Sequence, residues 1–190
     1  MKVGLFFGSF NPIHVGHLVI ANYMAEFTSL NKVWFVVSPH NPLKDKKSLL
    51  NPYNRRELVR KAIRNYSNLD ICDIEFKLPQ PSYTIDTLMH LKEKYPKNEF
   101  SLIMGSDNLS TLVKWKNYEQ ILNQFQVYVY PRPGFDGGDL KEHRNVKITD
   151  APFMEISSSF IRKAIQQKKD VQYYMPEKVA EYLDEMNFYK

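Results

Sequence analysis

Short apolar runs, rich in branched and aromatic residues, alternate along the chain with segments of helical spacing. Most of these runs are continuously apolar, which is typical of parallel strands buried on both faces. Together the two observations predict an α/β fold: a doubly wound, mostly parallel, Rossmann-like sheet with helices on both faces and further helices at the C-terminus.

The predicted strands are the apolar runs themselves, of four to six residues each. The sixth is the shortest and the most polar. They cover residues 3–7, 33–37, 69–74, 100–104, 125–130 and 146–149.

Helical patterns follow these strands, several of them behind a recognisable start signal. Asn51 and Pro52 open the second helix as cap and first-turn proline. Thr84 and Asp107 stand where they can cap the third and fourth helices, and Pro176 precedes the last. The helical faces are marked by Leu18, Ala21 and Ala25; Val59, Ala62, Ile63 and Tyr66; Ile85, Leu88 and Met89; Leu109, Leu112 and Val113; Ile161, Ala164 and Ile165; and Val179, Tyr182, Leu183 and Met186.

The clearest predicted loops are residues 38–50, rich in Pro and Lys, and residues 132–139, rich in Gly and Pro. Strand and helix alternation continues across both loops, so neither is expected to link independent domains. We therefore expect one domain over residues 1–190, with its core at about 2–165 and a helical C-terminal segment at about 157–190.

Composition excludes some classes of protein. The net charge of +5 over 190 residues suits anionic ligands such as nucleotides. Cys72 is the only cysteine, which excludes an internal disulfide and a multi-cysteine zinc site and favours core filling. No apolar run reaches 18 residues, so no membrane contact is expected and a cytoplasmic location is the default.

The most informative stretch is residues 8–17, Gly-Ser-Phe-Asn-Pro-Ile-His-Val-Gly-His, directly after the first strand. Gly8 allows a tight turn and a close approach to a ligand. A helix beginning near Val15 places His14 and His17 on one side of its first turn, where free backbone N–H groups suit a phosphate. Taken alone, the histidine pair also fits surface, capping or metal-binding use; its strand–turn–helix setting favours the phosphate.

A second stretch, residues 156–162, reads Ile-Ser-Ser-Ser-Phe-Ile-Arg. Ser157 or Ser158 can cap a helix whose first amides face an anion, and Arg162, one turn on, can fork around phosphate oxygens. A serine-capped helix bearing an arginine is also common as plain structure. The pairing of this stretch with residues 8–17 is what makes it informative.

The two stretches resemble the two signatures of the nucleotidylyltransferase superfamily. Residues 82–88 and 103–109, with Trp115 and Lys116, resemble segments of bacterial nicotinate mononucleotide adenylyltransferases, so the likeness spans about residues 2–164. The chain departs from the family pattern with Ser9 for a second glycine and Asn11 for an aspartate. Leu43 replaces the histidine that precedes Lys44.

The resemblance implies direct in-line transfer of the adenylyl group of ATP to nicotinate mononucleotide, without a covalent enzyme intermediate, in NAD biosynthesis. It implies His14, His17 and Arg162 as catalytic residues, and Mg²⁺ held mainly by the ATP phosphates and water. The implied ATP contacts are Gly8, Ser9, Phe10, His14, His17, Gly105, Asp107, Ile156, Ser157, Ser158 and Arg162. The implied mononucleotide contacts are Ser9, Phe10, Lys44, Thr84 and Trp115.

Alternatives remain at this point. Another adenylyl- or cytidylyltransferase of the superfamily could use phosphopantetheine, whose enzymes usually carry Thr in place of His14, or nicotinamide mononucleotide. A non-enzymatic nucleotide-binding or nucleic-acid-binding module would cluster its basic residues, whereas here they are spread along the chain, so no nucleic acid partner is expected. A homo-oligomer is compatible with the sequence.

We expect the acid mononucleotide to be preferred over the amide. A helix starting at Thr84 would present N–H donors that match a carboxylate. Trp115 could stack on either pyridine ring. Asp86, in the same first turn, would oppose a carboxylate unless its side chain points outward.

Overall fold

The computed structural model describes residues 1–39 and 49–190. In this part of the chain six strands form one sheet in the order β3-β2-β1-β4-β5-β6, and every neighbouring pair is parallel. The strands are β1 Lys2–Gly8, β2 Lys32–Val37, β3 Leu69–Cys72, β4 Glu99–Gly105, β5 Gln126–Tyr130 and β6 Val146–Ile148. The predicted doubly wound parallel sheet is confirmed.

Within residues 1–39 and 49–190 the longest helix, α1, has 13 residues, and none of the helices there is long and apolar enough to cross a membrane. Short 3₁₀ turns, at Ile74–Lys77, Leu112–Lys114, Asp139–Glu142 and Gln172–Tyr174, separate some of the elements. The α-helices are α1 Val15–Phe27, α2 Pro52–Ile63, α3 Thr84–Lys94, α4 Ser106–Leu109, α5 Tyr118–Gln124, α6 Ser158–Gln166 and α7 Glu177–Glu185.

Two hydrophobic clusters lie on opposite faces of the sheet. Because successive side chains of a strand point to opposite faces, Phe6 of β1 packs in one cluster and Leu5 in the other. The Phe6 cluster receives side chains from α1, α2, α6 and α7, whereas the Leu5 cluster receives them from α3, α4 and α5. Helices therefore cover both faces, and Cys72 is buried in the second cluster, as predicted.

Three predicted elements are wrong in detail. β3 ends at Cys72, and Ile74 begins a 3₁₀ turn instead of ending the strand. α2 ends at Ile63, short of Tyr66. Thr84 is the first residue of α3 and not its cap, a position that Tyr83 holds without a side-chain hydrogen bond.

The fourth helix begins at Ser106, behind Gly105 as its N-cap, so Asp107 lies in its first turn and is not the predicted cap. This helix is broken in two, into α4 and the 3₁₀ turn Leu112–Lys114. The hydroxyl of Ser110 donates to the Ser106 carbonyl at 2.9 Å, and that of Thr111 donates to the carbonyls of Asp107 and Asn108. Such side chains compete for carbonyls that a continuing helix would use. The short α5, with Ile121 and Leu122 as its buried residues, was not predicted.

Candidate active site

The sheet order reverses between β1 and β4, since the chain winds outward from β1 to β3 and then returns to β4. Ligands of open α/β sheets bind at this point, outside the carboxyl ends of the strands. A cleft of about 570 Å³ lies there, next to the ends of β1, β4 and β5. It is lined by the following predicted ATP contacts: Gly8, Ser9, Phe10, His14, His17, Asp107, Ile156, Ser157, Ser158 and Arg162.

The stretch at residues 8–17, which we call the signature turn, forms one wall of the cleft. Phe10 has a left-handed backbone, with φ of 45°, and its side chain is 2% exposed. A Cβ on Gly8 would lie 2.7 Å from the Phe10 ring, so the turn requires glycine there. The same ring contacts His17 edge-on, with 5.1 Å between centroids. Phe10 thus supports a histidine of the site from within the core.

His14 stands at the N-cap of α1 and His17 in its first turn, as the spacing predicted. Their rings stack with 3.8 Å between centroids, and the His14 main-chain N–H donates to Nδ1 of His17 at 3.3 Å. Because Nδ1 of His17 accepts, the proton of the neutral ring is on Nε2. His17 can therefore present Nε2–H as a hydrogen-bond donor.

His14 is 4% exposed, and among the described residues its Nδ1 has no hydrogen-bond partner. Burial, together with the positive charge of Arg132, lowers the pKa of His14 to about 4. His14 is therefore neutral at pH 7 in the ligand-free protein. Because His14 also lines the cleft, a ligand bound there would meet a neutral imidazole.

The second signature packs against the first. Ser157 caps α6 by accepting from the N–H of Phe160 at 3.2 Å. The Ser158 hydroxyl donates to the Pro12 carbonyl at 2.9 Å, and the Arg162 guanidinium donates to the Asn11 carbonyl at 2.8 Å. The start of α6 and the start of α1 thus face one cleft, although they lie far apart in the sequence.

Asp107 and Arg132 line another part of the same cleft. Asp107 Oδ1 lies 3.9 Å from Arg132 Nε, and the Arg132 guanidinium donates to the Met154 carbonyl at 3.2 Å. Gly105 stands behind them: a Cβ there would collide with Asp107 Oδ1 and approach Arg132 Cγ to 2.9 Å. Gly105 therefore makes room for both side chains without lining the cleft itself.

Sequence reasoning missed Arg132. It follows β5 just as Asp107 follows β4, and the rule that sites gather at carboxyl ends of strands could have found it.

Comparison with known proteins identifies the family. Residues 5–164 match the cytidylyltransferase-like family. The chain is 57% identical over the full length of both chains to a Flavobacterium johnsoniae protein named "Probable nicotinate-nucleotide adenylyltransferase". A Bacteroides fragilis protein of the same name is 48% identical over 92% of this chain and 87% of its own.

The chain belongs to the nicotinate-nucleotide adenylyltransferase family. It is therefore an enzyme, a nucleotidyltransferase. The fold agrees with that of a solved Plasmodium falciparum nicotinic acid mononucleotide adenylyltransferase complexed with NaAD, with a TM-score of 0.82 at 21% identity over 99% of this chain and 97% of that one.

Two predicted mononucleotide contacts, Thr84 and Trp115, are not among the residues that line the cleft. Thr84 begins α3, and Trp115 follows the 3₁₀ turn Leu112–Lys114, half-buried against the Leu5 cluster. An ion pair joins the two segments, with Lys116 Nζ 2.8 Å from the Asp86 carboxylate. The third predicted contact of this group, Lys44, lies outside the described residues.

A buried acid supports the start of α3. Glu75 is 2% exposed and accepts from the Thr87 hydroxyl at 2.8 Å. Burial raises the pKa of Glu75, and hydrogen bonds from Thr87 and Ser38 oppose that rise. Glu75 thus connects α3 to the end of β2.

In the described ranges, no group of three or more His, Cys, Asp or Glu side chains is arranged to hold a metal ion. Of the described residues that line the cleft, Asp107 alone carries a carboxylate.

Proposed function

We propose that this protein transfers the adenylyl group of ATP to nicotinate mononucleotide, forming nicotinate adenine dinucleotide and pyrophosphate in NAD biosynthesis. One observation supports this above the others. Hydrogen bonds from Ser158 to Pro12 and from Arg162 to Asn11 bring both signatures to one cleft at the reversal of the sheet.

The reaction is a direct displacement. A phosphate oxygen of the mononucleotide forms a bond to the α-phosphorus of ATP while the bond from that phosphorus to the bridging oxygen of the β-phosphate breaks. The nucleophile is already an anion, so no strong general base is required. The protein must align two anions that repel each other and neutralise the charge that grows on the α-phosphate and on the departing pyrophosphate.

The residues of the cleft match these tasks. We assign His17 to the α-phosphate through its Nε2–H, and His14 to the triphosphate as a neutral donor. Arg162 and the first amides of α6 would hold the departing pyrophosphate. Asp107 would accept from the ribose hydroxyls.

Magnesium fits this donor set. The ion is commonly held through substrate phosphates and water with few protein carboxylates. With Asp107 assigned to the ribose, Mg²⁺ would be held by ATP phosphate oxygens and water. When bound, it neutralises phosphate charge during the displacement.

The pyridine ring would lie toward Thr84 and Trp115, outside the cleft of the phosphates. Preference for the acid over the amide follows from the N–H donors at the start of α3. Asp86, whose charge would oppose a carboxylate, is paired with Lys116 at 2.8 Å. The positive charge of Lys116 thus offsets the repulsion between Asp86 and the carboxylate of an acid substrate at this helix.

The proposal is tested by pyrophosphate release from ATP and Mg²⁺ with each acceptor in turn. Nicotinate mononucleotide should give the highest kcat/KM. Nicotinamide mononucleotide should give a value roughly tenfold to a hundredfold lower, because donors that the bound pyridine ring covers and leaves mismatched cost about 1–3 kcal/mol. Phosphopantetheine should give no release. Equal or reversed values for the two mononucleotides would contradict the acid preference, and turnover with phosphopantetheine alone would contradict the proposed reaction.

A further inference from the structure

The last residues of the chain turn back toward the interior instead of extending α7. The N–H of Phe188 donates to the Leu183 carbonyl at 3.0 Å, and Lys190 Nζ lies 2.7 Å from an Asp184 carboxylate oxygen. Asn187 and Tyr189 have left-handed backbones, with φ of 51° and 65°. Such values are uncommon for residues other than glycine and persist where surrounding contacts hold them. The tail is therefore held in a defined conformation.

This conformation brings the Tyr189 hydroxyl to the signature turn. It donates to Asn11 Oδ1 at 2.6 Å, across 178 positions of sequence. The same Oδ1 accepts from the Leu50 N–H at 3.1 Å, and the Asn11 carbonyl accepts from Arg162 at 2.8 Å. Asn11, which is 4% exposed, thus joins the C-terminus, the segment before α2 and α6 to the signature turn.

A buried arginine completes this network. Arg55 is 0% exposed and donates to four main-chain carbonyls: those of Ser9 at 2.7 Å, Ser38 at 2.8 Å, Pro39 at 2.9 Å and Leu50 at 2.9 Å. Ser9 belongs to the signature turn, so Arg55 holds the turn at Ser9 while Tyr189 and Arg162 hold it at Asn11. No local sequence pattern indicates a role for Arg55 or for Tyr189.

The electrostatics keep these groups in their donor forms. Burial raises the pKa of Tyr189, an effect that the charges of Arg162 and Arg55 oppose. Burial lowers the pKa of Arg55 to about 10, which leaves the guanidinium charged at pH 7. The tyrosine hydroxyl and the guanidinium therefore both donate at pH 7.

We propose that Tyr189 is a positioning residue for adenylyl transfer, acting through Asn11 to hold the signature turn against Arg162. The inference rests on the proposed function. Tyr189 itself touches no reacting atom. By its hydrogen bond to the Asn11 side chain, the Tyr189 hydroxyl fixes the position of Asn11. The main-chain carbonyl of Asn11 accepts from Arg162, so this position affects the ATP half of the site.

Kinetics of Tyr189→Phe test the proposal, because this change removes the hydroxyl and keeps the ring. Loss of one hydrogen bond should lower kcat/KM for ATP roughly three- to tenfold, with the KM for nicotinate mononucleotide unchanged. Tyr173→Phe is the matched control, since Tyr173 is 87% exposed and is not among the residues that line the cleft. Measurements are made well below the Tm of each variant, so that a stability loss alone leaves the constants of the folded enzyme unaltered.

Two results would overturn the proposal. One is a set of kinetic constants for Tyr189→Phe equal to those of Tyr173→Phe, and the other is a rise in KM that is equal for ATP and nicotinate mononucleotide. A cycle with Asn11→Ala gives a second criterion. If Tyr189 acts through Asn11, Tyr189→Phe adds no further loss in the Asn11→Ala background, whereas independent effects would multiply.

The dissociation constant of ATP, measured by calorimetry, separates this inference from the proposed reaction. A wild-type protein that releases no pyrophosphate with nicotinate mononucleotide contradicts the reaction. The positioning inference is then decided by ATP binding, where Tyr189→Phe should raise the Kd roughly three- to tenfold over Tyr173→Phe. An unchanged Kd in that case would refute it.

Discussion

The two halves of the candidate site are constructed differently. The phosphate end, made of the signature turn and the start of α6, is held by bonds from buried or half-buried groups that come from both ends of the chain, among them Arg162 to Asn11 and Tyr189 to Asn11. The proposed pyridine end, made of Tyr83, Thr84, Asp86, Trp115 and Lys116, is joined by an ion pair between side chains that are 43% and 51% exposed.

This difference matches the two tasks of the enzyme. Stabilising a transition state requires donors that do not reorganise, and buried hydrogen-bond networks supply such rigidity. Choosing between two similar acceptors requires only a small difference in free energy, which a few exposed contacts can supply. We therefore expect large rate effects at the phosphate end and modest selectivity effects at the pyridine end.

The largest effect is expected from His17→Ala. Loss of one donor aimed at transition-state charge should lower kcat about 10²- to 10³-fold, with the Tm little changed. Pyrophosphate release measures this, and His90→Ala, in α3 and outside the cleft, is the control. Near-normal turnover of His17→Ala would show that His17 does not stabilise the transition state.

The pH dependence of stability tests the burial of His14. Its folded pKa, about 4, lies below the ordinary value of 6.5, so the folded state binds fewer protons than the unfolded state between these values. The unfolded state therefore gains a proton on His14 that the folded state does not, and the free energy of unfolding falls as the pH drops from above 6.5 toward 4. By pH 5 the loss is about 2 kcal/mol.

Urea unfolding at pH 7 and pH 5 measures that loss. His14→Gln, which does not titrate, should lose less stability than the wild type over the same interval. An identical loss in both proteins would mean that His14 is not the group responsible. Bound ATP should reduce the difference, because phosphate charge favours the imidazolium.

Arg162→Ala should raise the KM for ATP roughly tenfold to a hundredfold, the effect of losing charge-assisted hydrogen bonds. The KM for nicotinate mononucleotide should stay the same, which separates the two ends of the site directly. Lys163→Ala, at the next and exposed position of α6, is the matched control. If the mononucleotide constant alone rises, the arginine serves the other substrate.

The smallest effect belongs to the pyridine end. Lys116→Met leaves Asp86 uncompensated at the start of α3 and should reduce the preference for the acid over the amide about two- to fivefold, since exposed ion pairs contribute about 0.2–1 kcal/mol. The kcat/KM ratio of the two mononucleotides measures this change. The KM for ATP should not move, and high salt should weaken the effect. A change in the KM for ATP instead would show that Lys116 also affects the phosphate end, contrary to the separate roles assigned to the two ends.

Local sequence patterns were enough to predict the parallel sheet with helices on both faces, and ten of the eleven predicted ATP contacts line the cleft. These features have local signals: continuous apolar runs, helical spacing, and two short strings that each contain their own turn and helix start. Arg132 had a weaker signal, its place after β5. The break after α4 depends on the hydroxyls of Ser110 and Thr111, a competition for carbonyls that hydrophobic spacing does not reveal.

Which distant residues meet depends on how the elements pack. Nothing near Tyr189 indicates Asn11, nothing near Arg55 indicates the carbonyls of Ser9 and Ser38, and the compensation of Asp86 by Lys116 spans 30 positions. A periodic pattern tells which face of an element is buried, but the partner on that face depends on how the elements pack. The architecture therefore follows from local spacing, whereas the bonds that hold the signature turn follow from packing between the two ends of the chain.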